Sequence, residues 1–150
     1  MKATFGAGCF WHVEDLLSKT KGVTSTAVGY IGGNLPNPTY EEVCTDKTGH
    51  AEAVQVEFNP NEISYEDLLE VFWHNHNPTT LNRQGPDVGH QYRSAIFYHD
   101  ESQKEIAEQS KQSLESSKSF DSPIVTEIVP APEFFKAEEY HQKYFKKQGF

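Results

Sequence analysis

Apolar side chains recur every three or four positions between residues 64 and 78 and predict the clearest helix of the chain. The apolar face consists of Tyr65, Leu68, Leu69 and Phe72. Ser64 precedes this face and Asp67 follows three positions later, which is the spacing of a capped helix N-terminus. Pro78 lies beyond the last apolar position, where a helix is expected to have ended. The segment is therefore predicted to be a helix that buries one face.

Three further segments have helical character. The first begins at Cys9 and ends before Gly22, a residue type that often follows a helix. Its apolar positions are Val13, Leu16 and Leu17. The second covers residues 100–120, where a narrow face at four-residue spacing indicates an exposed helix rather than disorder. That face consists of Ile106, Ser110 and Leu114. The third is an aromatic segment at about residues 133–145.

Short runs rich in β-branched and aromatic residues predict five strands around these helices. They cover residues 2–5, 23–30, 53–58, 95–98 and 124–129. The first six elements follow the order strand, helix, strand, strand, helix, strand, which is that of a ferredoxin-like split βαβ unit. We therefore predict an α+β fold, a two-layer α/β plait with an additional C-terminal helical segment, in one domain over residues 1–150. Two long loops, at 32–50 and 77–94, are expected to carry function.

Composition narrows the function classes. The formal net charge of -9 argues against a surface that tracks phosphates, so nucleic acid is not an expected partner. No apolar run approaches the roughly 20 residues that span a bilayer, and the segment MKATFGAGCF has no apolar signal-peptide core. The two cysteines, Cys9 and Cys44, do not form a C-x-x-C motif and are predicted to be reduced thiols. The expected location is the cytoplasm.

Cys9 is the first candidate for chemistry. Gly6 and Gly8 allow the backbone to turn sharply before the predicted helix, which places the thiol at a helix N-terminus. The helix dipole and the free N–H groups of the first turn favour a thiolate there, so we expect the pKa of Cys9 to lie below the usual value of ~8.5. A small buried side chain without chemistry is the alternative interpretation. Local sequence alone leaves both open.

The long loops contain a second set of polar and aromatic candidates. In VGYIGG, Tyr30 lies between glycines at a predicted strand end, and TYEEVC places Glu42 close to Cys44. The segment QGPDVGHQYRS concentrates further polar residues around two glycines. These are Asp87, His90, Tyr92 and Arg93. Their concentration in two loops favours a shared site.

Seven segments together resemble the type A peptide methionine sulfoxide reductases over nearly the whole chain. The signature G-C-F-W appears at residues 8–11, V-G-Y-x-G-G at 28–33 and T-Y-x-E-V-C at 39–44. The segments TGHAEAV, NPTTLNRQG, DVGHQYRSAIFYH and EYHQKY follow in the order of the family. A resemblance spread over so many segments is far more specific than any single motif.

The resemblance implies that Cys9 is the nucleophile, that Glu42 is the acid that protonates the sulfoxide oxygen, and that Tyr30 and Tyr92 donate hydrogen bonds to it. Attack by a thiolate builds charge on this oxygen, and the acid can neutralise it only if it is protonated beforehand. We therefore expect Glu42 to be buried in an aromatic pocket, where desolvation favours the neutral carboxyl.

The remaining roles also follow from the resemblance. Phe10 and Trp11 would hold the substrate methyl group, Asp87 would organise the site, and His141 matches a family histidine. The implied reaction reduces methionine-S-sulfoxide, free or in proteins, and leaves Cys9 as a sulfenic acid. No metal or cofactor is implied. The reductant would be an external thiol, which is thioredoxin, or dithiothreitol in vitro.

Three positions depart from the family pattern. His12 stands where the family usually has glycine, and we expect it to point outward. Asn77 replaces an aspartate of the family, with little expected effect on the chemistry. The C-terminal YFKKQGF lacks the resolving cysteines of many members. Either Cys44 or an external thiol must then resolve the sulfenic acid, and we favour the external thiol.

Other functions remain open on the residues alone. A thiol peroxidase would form the same sulfenic acid from peroxide. A cysteine hydrolase would pair Cys9 with Asp87 and one of three histidines. Those histidines are His50, His90 and His141. A metal-binding module would combine a cysteine with His74, His76 and His90, although H-x-H is weak evidence for such a site. A redox sensor would oxidise Cys9 without turnover.

Overall fold

A computed structural model describes residues 1–149 and contains a six-stranded mixed sheet with helices packed against it. The sheet strands are β1 (Lys2–Ala7), β2 (Val23–Ile31), β3 (Ala51–Phe58), β6 (Ser94–Tyr98), β7 (Glu127–Pro130) and β8 (Phe135–Lys136). A separate two-stranded hairpin consists of β4 (Arg83–Gln84) and β5 (Asp87–Val88). The α-helices are α1 (Phe10–Ser18), α2 (Tyr40–Cys44), α3 (Tyr65–His74), α4 (Glu101–Ser116) and α5 (Tyr144–Lys147). The fold class is thus mixed α and β.

The sheet has the strand order β7-β6-β1-β3-β2-β8. All neighbouring pairs are antiparallel except β6 and β7, which are parallel. The register pairs Phe5 with Val54 of β3 on one side and with Ile96 of β6 on the other. The C-terminal end of β1, which leads to Cys9, therefore lies at the centre of the sheet.

Alternate residues of the strands face two apolar clusters, as the two-residue period of a strand requires. On one face, Phe5, Val54 and Ile96 pack with the inner sides of α1 and α3. On the opposite face, small and aromatic side chains are covered by the chain that follows β6. Their cluster contains Ile31, Ala51, Ala53, Ala95 and Phe97. Helices α1 and α3 therefore cover the first of these faces, and Cys9 lies at the start of α1.

The predicted helix around residues 64–78 is confirmed as α3, and so is its cap. The Ser64 hydroxyl accepts a hydrogen bond from the Asp67 N–H at 3.0 Å, and the Asp67 carboxylate accepts one from the Ser64 N–H at 3.4 Å. Two donors that the helix leaves unpaired are thereby satisfied. The predicted helices at Cys9 and at residues 100–120 correspond to α1 and α4.

The C-terminal helix predicted at residues 133–145 is wrong. The chain instead forms β8, a 3-10 turn at Glu139–His141 and the four-residue helix α5. Gly29 explains the strand, because a Cβ there would lie only 2.4 Å from the Phe135 carbonyl oxygen. The missing side chain lets β8 pair with β2, so tertiary contact overrides the local aromatic pattern.

The two long loops contain short elements that the hydrophobic pattern did not indicate. Helix α2 lies within residues 32–50, and the hairpin of β4 and β5 lies within residues 77–94. Neither is long enough to develop a period of its own. No helix within residues 1–149 is both long and apolar enough to cross a membrane.

Candidate active site

Cys9 lies at the junction between the central strand β1 and helix α1, where it is the N-cap residue. The chain turns here through Gly8, whose φ of 92° suits glycine best. A Cβ on Gly8 would also lie 3.0 Å from the Gln84 side chain. The tight turn that the glycines predicted is thus present, and it brings the thiol to the helix N-terminus.

The pKa of Cys9 is raised to about 11, which is the opposite of the lowering expected from the helix position. Burial of the thiol is the largest cause, and the charges of Glu52 and Asp87 raise the pKa further. The backbone N–H groups of Trp11 and His12 do hydrogen-bond to the sulfur and lower the pKa, as a helix N-terminus should. Desolvation outweighs them, so the resting group is a thiol.

Glu52 supplies the buried carboxyl beside Cys9. Its side chain on β3 is 1% exposed, and one oxygen accepts a hydrogen bond from the Phe10 N–H at 3.3 Å. The other oxygen is buried without a hydrogen-bond partner among residues 1–149. Burial raises the pKa of Glu52 to about 8; the Phe10 N–H opposes this rise and the charge of Asp87 adds to it. Most of the carboxyl is therefore protonated at pH 7.

Glu42, the acid that the resemblance implied, occupies a different environment. It is exposed, and with Thr39 it forms a capping box at the start of α2. The Thr39 N–H donates to the Glu42 carboxylate at 2.9 Å, and the Glu42 N–H donates to the Thr39 hydroxyl at 3.2 Å. The expected burial of Glu42 is therefore wrong, since its position is dictated by the helix cap.

Tyr92 and Tyr40 both lie within electrostatic reach of Glu52, and of these two only Tyr92 was predicted to belong to the site. Tyr92 has its pKa raised to about 12, first by burial and then by the charges of Glu52 and Asp87. Tyr40, which had no assigned role, also has a raised pKa, through burial, a hydrogen bond to the Cys44 thiol and the charge of Glu52. Both phenols are therefore protonated donors within electrostatic reach of the same carboxyl.

Tyr30 borders the site, with its ring centroid 5.8 Å from that of Phe10, but its hydroxyl is bonded to another residue. Its side chain is fully buried, and its hydroxyl donates to the Glu138 carboxylate at 2.9 Å. The other Glu138 oxygen accepts a hydrogen bond from the Tyr40 N–H, also at 2.9 Å. Because a phenol has one proton to donate, the Tyr30 hydroxyl is committed to this structural bridge. The bridge connects the C-terminal segment to the beginning of α2.

Phe10 and Trp11 belong to an aromatic cluster around His141. Phe10 is 1% exposed, and its ring centroid lies 5.2 Å from that of His141. The Trp11 indole N–H donates to His141 Nδ1 at 3.0 Å. Burial lowers the pKa of His141, which favours the neutral ring that this bond requires. His141 thus fixes the orientation of Trp11.

The outer face of Trp11 is covered by the C-terminal segment. The Tyr144 ring stacks on Trp11 with a centroid separation of 3.8 Å. Glu14, buried within α1, accepts a hydrogen bond from the Lys143 N–H and another from the Thr26 hydroxyl. The segment is thereby held against α1 and β2. Of the two residues expected to hold a methyl group, Phe10 is enclosed and Trp11 is half-buried.

Asp87 and His12 border the site from other directions. Asp87 lies half-buried on the hairpin of β4 and β5, close enough for its charge to raise the pKa of both Cys9 and Glu52. His12 is exposed and packs edge-on against Phe145, so it points outward as expected.

Asn77 adopts a local turn in which its side-chain oxygen accepts hydrogen bonds from both the N–H and the hydroxyl of Thr79. Its role is therefore confined to the loop that contains it.

The histidines that a hydrolase would require are engaged elsewhere. His50 accepts a hydrogen bond from the Gly33 N–H and bonds the Leu35 carbonyl, while His90 is exposed and pairs with Asp46 at 2.9 Å. His141 bonds Trp11, as described above. Within residues 1–149 no group of three or more histidine, cysteine or acidic side chains could hold a metal ion. The geometry favours a thiol paired with a neutral carboxylic acid over one paired with an imidazole.

Comparison with known proteins identifies the family to which this thiol and carboxyl belong. A family profile described as peptide methionine sulfoxide reductase matches residues 1–149. The chain belongs to this family. It is therefore an oxidoreductase that reduces methionine sulfoxide.

Individual relatives agree with this assignment in sequence and in structure. Peptide methionine sulfoxide reductase MsrA of Methanosarcina acetivorans is 62% identical over 149 residues, which cover 99% of this chain and 79% of that protein. The crystal structure of Mxr1 from Saccharomyces cerevisiae in reduced form has a TM-score of 0.92 at 35% identity, covering 99% of this chain and 86% of Mxr1. Methionine sulfoxide reductase A of Corynebacterium diphtheriae has a TM-score of 0.88 at 38% identity, with 99% and 74% covered.

Proposed function

We propose that the chain reduces methionine-S-sulfoxide, free or in proteins, as a single catalytic domain in which Cys9 is the nucleophile and Glu52 the general acid. The observation that carries this assignment is the buried, predominantly neutral Glu52 carboxyl beside the half-buried thiol of Cys9. A neutral acid can protonate the sulfoxide oxygen as charge develops on it. Glu52 thus takes the role that the sequence resemblance assigned to Glu42.

The proposed reaction balances without a cofactor. The Cys9 sulfur attacks the sulfoxide sulfur, Glu52 protonates the oxygen, and the thiol proton restores the acid. As the sulfur–oxygen bond of the substrate breaks, the oxygen transfers to Cys9. Methionine sulfur gains two electrons and Cys9 sulfur loses two, which leaves a sulfenic acid. Tyr40 and Tyr92 are the proposed hydrogen-bond donors to the oxygen, and Tyr40 would exchange its bond to the Cys44 sulfur, a weak acceptor, for one to the substrate.

The proposed active site also assigns the remaining neighbours. Asp87 modulates the protonation of Cys9 and Glu52 through its charge. Phe10 and Trp11 form the apolar wall for the substrate methyl group, with Trp11 oriented by His141. We also propose that the central strands, with α1 and α3, form the split βαβ plait. The cytoplasmic location stays a prediction.

An external thiol is the proposed reductant of the Cys9 sulfenic acid. A thiol condenses with a sulfenic acid to give a disulfide and water, and a second thiol then releases the enzyme. Mxr1 of yeast has been captured in a complex with Trx2. We propose that a thioredoxin-like dithiol serves this chain in the same way, with dithiothreitol as its substitute in vitro.

Cys44→Ser is expected to retain most of the turnover with thioredoxin. Cys44 is an exposed, free thiol on α2 that hydrogen-bonds to Tyr40, and an external resolving thiol makes it dispensable. Steady-state rates with saturating thioredoxin should remain within about threefold of the unaltered chain. Loss of thioredoxin-driven turnover together with normal single-turnover chemistry would instead identify Cys44 as the resolving residue.

The stoichiometry of a reaction without reductant tests the proposed function. Fully reduced protein is mixed with a peptide that contains either epimer of methionine sulfoxide, and the methionine formed per chain is counted. One oxidised cysteine provides two electrons, so we expect about one equivalent from the S epimer and none from the R epimer. About two equivalents would mean that Cys44 is itself oxidised to a sulfenic acid, because a disulfide within or between chains consumes two thiols for each methionine formed. Formation from neither epimer would contradict the proposal.

A further inference from the structure

An apolar groove adjoins Cys9 on the side facing α3. It has a volume of about 350 Å³ and lies between α1, α3 and the hairpin of β4 and β5. Aliphatic side chains from both helices line it, together with Cys9 and Asp87. The lining aliphatic residues used below are Val13, Leu16 and Val71. The reaction proposed above requires room for a thioether and its methyl group, and this groove is larger than that.

We propose that this groove is a subsite for an apolar side chain that flanks the oxidised methionine in a polypeptide substrate. The inference rests on the proposed function, because it takes Cys9 as the point at which the sulfoxide reacts. Since adjacent Cα atoms are ~3.8 Å apart, a residue next to the methionine stays close to the thiol. A groove that Cys9 itself lines is therefore within reach of that residue.

The chemistry of the groove matches an apolar occupant. Val13, Leu16 and Val71 are each partly exposed, although Val13 and Val71 also pack against the main apolar cluster. Adjacent apolar atoms left accessible in this way are typical of binding surfaces. The volume also falls at the lower end of small-ligand sites, which span roughly 300–1,000 Å³.

Charge argues against an acidic occupant. Asp87 is the acidic side chain that lines the groove, and the lining residues within 1–149 include no lysine or arginine. The whole chain carries a formal net charge of -9, so an acidic flanking residue meets a field of its own sign. The groove should therefore discriminate against substrates with aspartate next to the oxidised methionine.

Paired substrates and variants test the subsite. The substrates are N-acetyl methionine sulfoxide amide, which has no flanking side chain, and pentapeptides with leucine or aspartate on both sides of the sulfoxide. Dithiothreitol is the reductant. Val71→Asp should lower kcat/KM for the leucine peptide about tenfold, mainly through KM, because it places a charge where the apolar side chain binds. The amide has nothing to place in the groove and should be reduced within about twofold of the normal rate.

Val71→Lys tests for an increase in kcat/KM, which damage to the fold would not produce. Its charge should improve kcat/KM for the aspartate peptide several-fold while that for the leucine peptide falls. Glu66→Gln is the matched control, since Glu66 is exposed on the same helix outside the groove and the substitution changes the charge by the same amount. Glu66→Gln should change kcat/KM for neither peptide.

Two outcomes would overturn the subsite. One is an equal response of both peptides and the amide to each Val71 variant. The other is unchanged peptide kinetics with a raised KM for thioredoxin, which would make the groove a docking surface for the reductant. Failure of the unaltered chain to reduce even the amide would contradict the proposed function itself, so the two failures are distinguishable.

Discussion

Cys9→Ser is expected to abolish methionine formation, with a loss of about a thousandfold or more in single-turnover rate. A serine hydroxyl is far less nucleophilic than a thiol and cannot form the sulfenic acid that carries the oxygen away. The measurement is methionine released from the S epimer by fully reduced protein in the absence of a reductant. The substitution exchanges one small side chain for another of similar size, so thermal unfolding should occur close to the normal temperature.

The second cysteine of the chain provides the matched control for this loss. Cys44→Ser makes the same chemical change on an exposed side chain of α2. It should still release about one methionine per chain in the same reaction. Release at a normal rate by Cys9→Ser, or its loss in Cys44→Ser alone, would mean that the nucleophile has been assigned to the wrong thiol.

The position of Cys9 could be predicted from sequence, but its ionisation could not. Paired glycines followed by a helical period are local signals, and they correctly place the thiol at the start of α1. Its pKa depends on burial and on Glu52, which is 43 positions away in sequence and adjacent only after β1 pairs with β3. The raised pKa is thus a property of the tertiary structure that a local dipole argument misses.

The same distinction explains which parts of the fold were predicted. The strands β1, β2, β3 and β6 have clear apolar patterns, and their predicted centres are confirmed. The C-terminal segment has an aromatic pattern that suits a helix equally well. Its strand depends on the space that Gly29 leaves for the Phe135 carbonyl. Contacts between distant segments decide such cases.

The acid was assigned to Glu42 instead of Glu52 for an identifiable reason. The two lie in neighbouring motifs, TYEEVC and TGHAEAV, and both motifs were part of the resemblance. Glu42 follows Thr39 by three residues, which is the spacing of a capping box and indicates an exposed role. Glu52 lies between alanines in a strand whose other inward positions are apolar. A glutamate at an inward position of an otherwise apolar strand face is the sequence feature that indicates a buried carboxyl.

Tyr40 was missed for a similar reason. It lies in the same loop motif as Glu42, while Tyr30 had the more distinctive glycine neighbours. Strand β2 buries Tyr30 completely and directs its hydroxyl to Glu138. No pattern within residues 28–33 indicates that partner, because Glu138 lies in the C-terminal segment.

Glu52→Gln is expected to lower the single-turnover rate by about 100- to 10,000-fold, because an amide cannot protonate the sulfoxide oxygen. In the unaltered chain the rate should fall as the pH rises through about 8, where Glu52 loses its proton. The residual rate of the variant should lack that transition. Glu42→Gln is the matched control, since glutamine also completes a capping box, and it should change the rate by less than about twofold. A large loss in Glu42→Gln with little in Glu52→Gln would restore the original assignment.

The stability of the same variant provides an independent measure of the buried proton. Because the Glu52 pKa is raised from 4.5 to about 8, the native state keeps a proton that the unfolded state loses within this pH range. The free energy of unfolding should therefore decrease with rising pH, by roughly 1 kcal/mol per pH unit from this group, and level off above the native pKa. Glutamine does not ionise, so this part of the decrease should be absent in Glu52→Gln. Denaturant titrations between pH 5.5 and 8.5 measure the difference, and parallel profiles for the two proteins would mean that Glu52 is not held neutral by the fold.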